Sequence, residues 1–198
     1  MTLRTAVVGG GTVSEIHLTG LTRNPRADLV AICDIDADRA EEIAGEYDIR
    51  AFSDMAAMLD ELDLDWVHIC TPVQTHLELA EMALEAGVPV QIEKPITETY
   101  AEFERLADAA ERTGVTVSVK HNHDFDPAVR TAMRMKREGD LGDVRGVDVV
   151  YTGSSSPDDP NRGPWNFDLS GGEFEEGLPH PLYLTLRAGG YPASEDAI

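Results

Sequence analysis

Short continuous apolar runs alternate with stretches of helical period along residues 5–121. The first run, Thr5–Val8, ends at Gly9-Gly10-Gly11, and a helix-period pattern starts at once. Val13, Ile16, Gly20 and Leu21 are expected to share one face of that helix. Asn24-Pro25 breaks it, and Ala27–Cys33 reads as a second buried strand. Asp36-Ala37-Asp38 leads into a helix running to about Tyr47, and Ile49–Phe52 reads as a short third strand. Ser53 or Asp54 then caps a helix striped by Met55, Met58, Leu59 and Leu62. Trp66–Cys70 is the fourth strand; a helix follows from about Thr75 to Ala86, with Gly87 where a helix C-terminus wants it. Val88–Ile92 is the fifth strand. Thr99 and Glu102 form a capping-box pair ahead of Phe103, Leu106, Ala107 and Ala110. Gly114 ends that helix, and Val115–Val119 is the sixth strand.

Continuous apolar strands alternating with helices predict an α/β domain over residues 1–121, built on a parallel sheet covered on both faces. Right-handed crossovers make it doubly wound, with ligands at the C-terminal ends of the strands. The character changes after that. Pro127–Glu138 reads as a helix, Gly139–Gly142 as a turn and Val144–Tyr151 as a half-exposed strand. Gly153–Pro164 reads as a long loop, and a last helix runs from about Pro181 to Ala188, ended by Gly189-Gly190. One strand and two helices are too little for an independent core. Residues 122–198 are therefore expected to begin an α+β domain that is incomplete, a partial substrate or oligomerisation domain.

The formal charge of −21 sharpens the picture of partners. Phosphate-backbone binding needs clusters of Lys and Arg, and Lys94, Lys120 and Lys136 are the only lysines, so a nucleic-acid partner is excluded. An acidic, lysine-poor surface is also what a salt-loving cytoplasm would favour. If so, stability should rise from dilute buffer to molar salt. No apolar run approaches the length of a membrane span, and no secretory signal is visible, which points to the cytoplasm. Cys33 and Cys70 fall inside predicted strands and suit reduced core thiols.

Gly9, Gly11 and Ser14 stand at the spacing of the dinucleotide fingerprint, with a small serine in third place. The first glycine permits the tight turn and the second lets backbone approach a pyrophosphate. The third position needs only a small side chain for close helix–strand packing. Orphan N–H groups at the helix start, around Thr12 and Val13, then face the phosphates. Asp34, closing the second strand, is placed to hold the adenosine ribose hydroxyls.

Lys94 is the sharpest catalytic candidate, because it ends a central strand on the functional rim. It is read as a cation for a developing alkoxide, against an ion pair with Glu93 as the plain alternative. Glu176 and His180, four apart, suit a general base and the carboxylate that orients it, against a surface pair with no role. His121 and His123 share a face only if the strand continues, and no third ligand follows at a metal-site spacing, so no metal is expected. His17 and His68 read as packed polar residues, while His76 lies nearer the cofactor rim.

These pieces together resemble the glucose–fructose oxidoreductase and inositol dehydrogenase family of nicotinamide-dependent enzymes. They are Gly9–His17, Asp34, Cys70-Thr71-Pro72 with His76, Glu93-Lys94-Pro95, Asn122 with Pro127, Trp165, and Gly171 to His180. The resemblance implies an NAD(P)-binding first domain and a second domain built on an open antiparallel sheet. It implies oxidation of a ring hydroxyl on a sugar or cyclitol, or the reverse reduction. Gly9, Gly11, Thr12, Val13, Asp34, Thr71, Pro72, His76, Glu93, Lys94 and Asn122 would line the cofactor. Lys94 would bond the reacting oxygen, His180 would take its proton, and Glu176 would stand in the family's aspartate position. Asp34 followed by Ile35, with no arginine placed for a 2′-phosphate, favours NAD over NADP.

Three positions depart from the family pattern: Glu176 for aspartate, Asp124 for a common arginine and Tyr183 for a second aspartate. The chain also stops where relatives continue through most of their second-domain sheet: either it is a fragment or truncated reading frame, or the missing strands come from elsewhere, with homo-oligomerisation through that domain if it is complete. The competing reading is a non-catalytic nucleotide-binding or cofactor-sensing module.

Overall fold

The computed structural model describes residues 2–152, 169 and 172–190, and the chain divides into two compact units, 1–120 and 121–198. Unit one is a six-stranded sheet of β1 (Leu3–Val8), β2 (Ala27–Cys33), β3 (Arg50–Phe52), β4 (Trp66–Ile69), β5 (Val90–Ile92) and β6 (Val117–Val119). Its order is β3-β2-β1-β4-β5-β6, and every neighbouring pair is parallel. Strand order reverses between β1 and β4, which leaves a crevice outside their C-terminal ends.

Alternate residues of each strand feed two different cores, as the period of two requires. Val7 and Ile32 pack on one side with Leu18 and Leu21 of α1 (Ser14–Arg23) and with Ile43 and Ala44 of α2 (Ala37–Tyr47). Ala6, Val8, Ala31, Val67, Ile69, Val90 and Ile92 pack on the other. Against them lie Met55 and Met58 of α3 (Met55–Glu61), Ala80 and Leu84 of α4 (His76–Glu85), and Leu106 and Ala109 of α5 (Tyr100–Thr113). Apolar surface is thus removed from water on both faces, and that is why these strands carry uninterrupted apolar runs.

Local signals act where the sequence places them. Thr99 Oγ1 accepts the Glu102 N–H at 3.2 Å while Glu102 Oε2 accepts the Thr99 N–H at 2.9 Å, closing the capping box of α5. Gly114 ends that helix in the left-handed region, at φ 70°. Of the two expected caps for α3, Asp54 takes the role by accepting the Ala56 N–H.

Helix α1 presents a different face from the expected one. Ser14, His17, Leu18 and Leu21 are buried, whereas Ile16 is 65% exposed. The small Ser14 has to meet the sheet, and the i, i+3, i+4, i+7 set counted from Ser14 carries the helix round by one residue.

Unit two is helical in its described part: α6 (Pro127–Glu138), α7 (Gly172–Gly177) and α8 (Pro179–Gly189), with a 3₁₀ turn at Asn122–Phe125. Val144–Tyr151 is not a strand, contrary to its alternating pattern. A strand exists by its ladder, and no strand among the described residues pairs with this one. The loop expected at Gly153–Pro164, and Trp165 and Gly171, lie outside the described residues. Among the described residues no helix is long and apolar enough to cross a membrane.

Candidate active site

The glycine turn closes β1 against the crevice. Gly9 has φ +96°, and a Cβ there would stand 2.9 Å from the Cys70 carbonyl carbon and oxygen and from Thr71 Cγ2. Its N–H donates to Cys33 O at 2.8 Å, tying the turn to the end of β2. At Gly11, by contrast, a Cβ would meet nothing within 4 Å among the described residues, so backbone there borders open space. Ser14, 1% exposed, donates its hydroxyl to Gly11 O at 2.6 Å and holds the start of α1 to the turn. Thr12 is exposed and Val13 half-buried at that same helix start.

Asp34 is fixed from two directions: Oδ2 accepts the Gly10 N–H at 2.5 Å and Oδ1 accepts the Asp36 N–H at 2.9 Å. A carboxylate offers about four lone-pair sites, so one on each oxygen remains for a ligand's hydroxyls. Gly10, which the fingerprint leaves unspecified, is closely surrounded by side chains. A Cβ on it would come within 2.8 Å of Ile43 Cδ1 and 3.1 Å of Asp34 Oδ2.

No base follows Asp34 directly, as the sequence shows, but an arginine reaches the glycine turn from the next helix. Ile35, next in sequence, is 96% exposed. Arg39, on the first turn of α2, lays its side chain over the glycine turn and donates Nε–H to Gly10 O at 3.0 Å. Helical geometry brings back a residue five positions on, which a search of the immediate neighbours does not see.

Opposite, the ends of β4 and β5 form the second rim. His76 is 1% exposed and reaches Pro95 O through Nδ1 and Thr71 O through Nε2, both at 2.9 Å. Burial lowers its pKa, although these carbonyls favour the protonated ring. Its nitrogens are spent on backbone, so it staples the Thr71 and Pro95 loops together and turns neither nitrogen to solvent. Thr71 is half-buried and its Oγ1 accepts from Thr75, while exposed Pro72 leads into the short 3₁₀ turn Val73–Thr75.

Between the rims lies a buried ionic cluster. Glu93, 7% exposed, sits directly before Lys94, and its Oε1 is 2.7 Å from His17 Nε2 and 3.1 Å from Lys120 Nζ. Its Oε2 accepts the Lys94 N–H at 3.3 Å. Burial pushes the Glu93 carboxyl up, but the His17 hydrogen bond and the Lys120 charge outweigh it and hold the pKa near 2. Behind them the Nδ1 atoms of His17 and His68 stand 3.1 Å apart, so one ring must donate to the other. Burial, with smaller electrostatic contributions from His17 and Lys120, drives His68 down to about 3, which keeps it neutral. Lys94 itself is half-buried at the strand end, as its position in the sequence predicts. Sequence reasoning left His17, His68 and Lys120 unconnected; the one available signal was a scarce lysine closing a strand.

In unit two, exposed Asn122 opens the 3₁₀ turn. His180 on α8 is 8% exposed, and its Nδ1 lies 3.2 Å from the Tyr183 hydroxyl, which also accepts the His123 N–H at 3.1 Å. His121 stacks on Tyr183 with ring centres 4.0 Å apart, and His123 pairs with Asp126 at 2.9 Å. Glu176 belongs to α7, and its side chain lies outside the described residues.

Residues 3–121 match the GFO/IDH/MocA family, described as an oxidoreductase family with an NAD-binding Rossmann fold. The chain belongs to this family. Among its relatives are the D-apiose dehydrogenase of Paraburkholderia graminis, 36% identical over 138 residues, and the inositol 2-dehydrogenase of Rhizobium meliloti, 31% identical over 159. These alignments take in 69% and 79% of this chain but 37% and 47% of the relatives, so the chain spans less than half of their length. GenD2 of gentamicin A biosynthesis, solved in complex with NAD, superposes with a TM-score of 0.80 at 25% identity, over 97% of this chain and 55% of that one. The family's dinucleotide fits the residues present. Open space borders Gly11, Asp34 has an unused lone pair on each oxygen, and Gly9 sets the turn that brings them together.

Proposed function

We propose that this protein is an NAD-dependent dehydrogenase that oxidises a ring hydroxyl of a sugar or cyclitol, or reduces the corresponding ketone. The observation that carries the reading is the turn from Gly9 to Gly11, open at Gly11 and locked to Asp34 through the Gly10 N–H. Asp34 would accept the two ribose hydroxyls, and the N–H groups at the start of α1 would face the pyrophosphate. The bound nicotinamide supplies hydride transfer, which is the cofactor's own chemistry.

The chain's residues do the rest. Lys94, at the end of β5, donates a hydrogen bond to the reacting oxygen and stabilises the charge that develops on it. His180 takes the hydroxyl proton, and Glu176 supports it from the preceding helix. Tyr183 meets the same imidazole and biases which nitrogen holds its hydrogen. Thr71 and Pro72 border the cofactor from the second rim, held there by His76, and Glu93 and Asn122 complete its surroundings. The free, buried thiols of Cys33 and Cys70 suit a reducing cytoplasm. The partners that remain are small polyols and copies of the chain itself.

Lys94→Ala tests the chemistry. With NAD and a panel of sugars and cyclitols, turnover should fall about a hundredfold or more while NADH affinity stays put, as when an oxyanion-stabilising donor is removed. Unaltered turnover would take Lys94 out of the mechanism.

A further inference from the structure

Two of the chain's three lysines, Lys94 and Lys120, follow neighbouring parallel strands, β5 and β6, at the crevice end of the sheet. Lys120 turns inward, with its side chain only 19% exposed. Its Nζ closes a triangle with His17 Nε2 and Glu93 Oε1 whose sides measure 2.7, 2.8 and 3.1 Å. Backbone and side chain grip the same strand end twice. The Lys120 N–H donates to Ile92 O at 2.9 Å, while Nζ holds the next residue, Glu93, by its carboxylate. Glu93 Oε2 accepts the Lys94 N–H at 3.3 Å, and beyond Lys94 the Pro95 carbonyl meets His76 Nδ1 at 2.9 Å. The backbone is thus held on both sides of Lys94. Net stability does not account for a lysine in this place, since a buried ion pair gains little over apolar packing of the same volume. His17, the third corner, lies on α1 three residues after Ser14, so the triangle also reaches the helix that starts at the glycine turn.

We propose that Lys120 is a positioning residue: it holds the Glu93 carboxylate so that Lys94 leaves the strand end at a fixed place relative to the cofactor. The inference rests on the dehydrogenase reading above and adds to it a residue that the reacting oxygen never meets. Glu93, held near 2, stays ionised through the neutral range, so Lys120 meets a full negative charge there. A reacting group misplaced by about 1 Å loses on the order of a hundredfold in rate, so small shifts at this strand end count.

Acetic anhydride labelling of the full chain, mapped by mass spectrometry with and without NADH, tests this without needing turnover. Lys136 on α6 gives the reference rate. In the wild type, bound NADH should slow acetylation of Lys94 about tenfold. In Lys120→Met most of that protection should disappear, while NADH affinity stays within about twofold and a melt shows a folded chain. Lys120→Arg, which keeps a cation, should restore much of it. Glu93→Gln with Lys120→Met strands no charge and regains stability, yet should still leave Lys94 unprotected; a purely structural role would move protection and melting together. Where the wild type also turns over a sugar or cyclitol, kcat of Lys120→Met should fall about tenfold or more with KM for NAD unmoved, and a Lys94→Ala background should abolish the difference. If Lys120→Met protects Lys94 as the wild type does, or if protection only follows melting across the variants, Lys120 is a stabilising counter-ion and the inference is overturned. A folded wild-type chain that binds no NADH, or binds it and leaves Lys94 unprotected, would overturn the dehydrogenase reading and this inference with it, a failure that the wild type alone reveals.

Discussion

Lys120→Met should destabilise unit one by about 3 kcal/mol, near the lower limit for removing one partner of a buried ion pair. Without Lys120 the Glu93 carboxylate keeps, among the described residues, the His17 ring and the Lys94 N–H but loses its ammonium partner, inside a site where it is 7% exposed. For a chain of this size that loss corresponds to a fall in Tm of roughly 6–12 °C. Adding Glu93→Gln to Lys120→Met should recover part of it, because no charge is then stranded.

The pH dependence has a definite sign. Glu93 is held near 2 against an ordinary value of 4.5, so its stabilisation is complete above about 4.5 and fades as pH falls toward 2. The gap between wild type and Lys120→Met should close over that window. His68 is depressed to about 3 from 6.5, so the unfolded chain takes up a proton that the folded chain refuses. Stability should therefore begin to fall below about pH 6.5, and His68→Leu should remove part of that decline, with buried His76 still contributing to the rest. Thermal melts between pH 7.5 and about 2 measure both effects. A Lys120→Met variant within about 0.5 kcal/mol of wild type, the scatter of ordinary surface changes, would show that the cluster contributes no stability.

Gly9→Ala and Gly11→Ala should part company. At Gly9 the added methyl meets the backbone of Cys70, which cannot swing aside, and φ of +96° is strained for any L side chain. Strain and overpacking together make a loss of about 3 kcal/mol the expected result. At Gly11 the methyl enters open space, so stability should hold within about 0.5 kcal/mol. NADH affinity should nevertheless drop tenfold or more, because that space is where a pyrophosphate approaches the backbone. Paired melts and titrations separate the two. If Gly11→Ala binds NADH as wild type does, the opening at Gly11 is not the phosphate site.

Local chemistry made most of the first unit readable. Apolar runs of strand length, the Thr99–Glu102 box and the Gly114 stop each act within a few residues, and the structure uses them all. What stayed hidden depends on contacts across the fold. Lys120 and His17 are 103 positions apart yet their nitrogens stand 2.8 Å from each other, and no spacing rule reaches that far. Arg39 escaped because a helix turn, and not sequence adjacency, returns it to Gly10. Val144–Tyr151 shows the opposite limit. Alternation marks which residues could share a face, but a ladder needs a neighbour, and the pattern does not name one.

We propose the turn from Gly9 to Gly11 as the dinucleotide site. Titrating NADH and NADPH into the purified chain, with nucleotide fluorescence as signal and a thermal melt to establish folding, tests it most directly. Saturable binding with NADH preferred is the result expected from Asp34 and the open backbone at Gly11. A cooperatively melting chain that leaves the fluorescence of both nucleotides unchanged would contradict it.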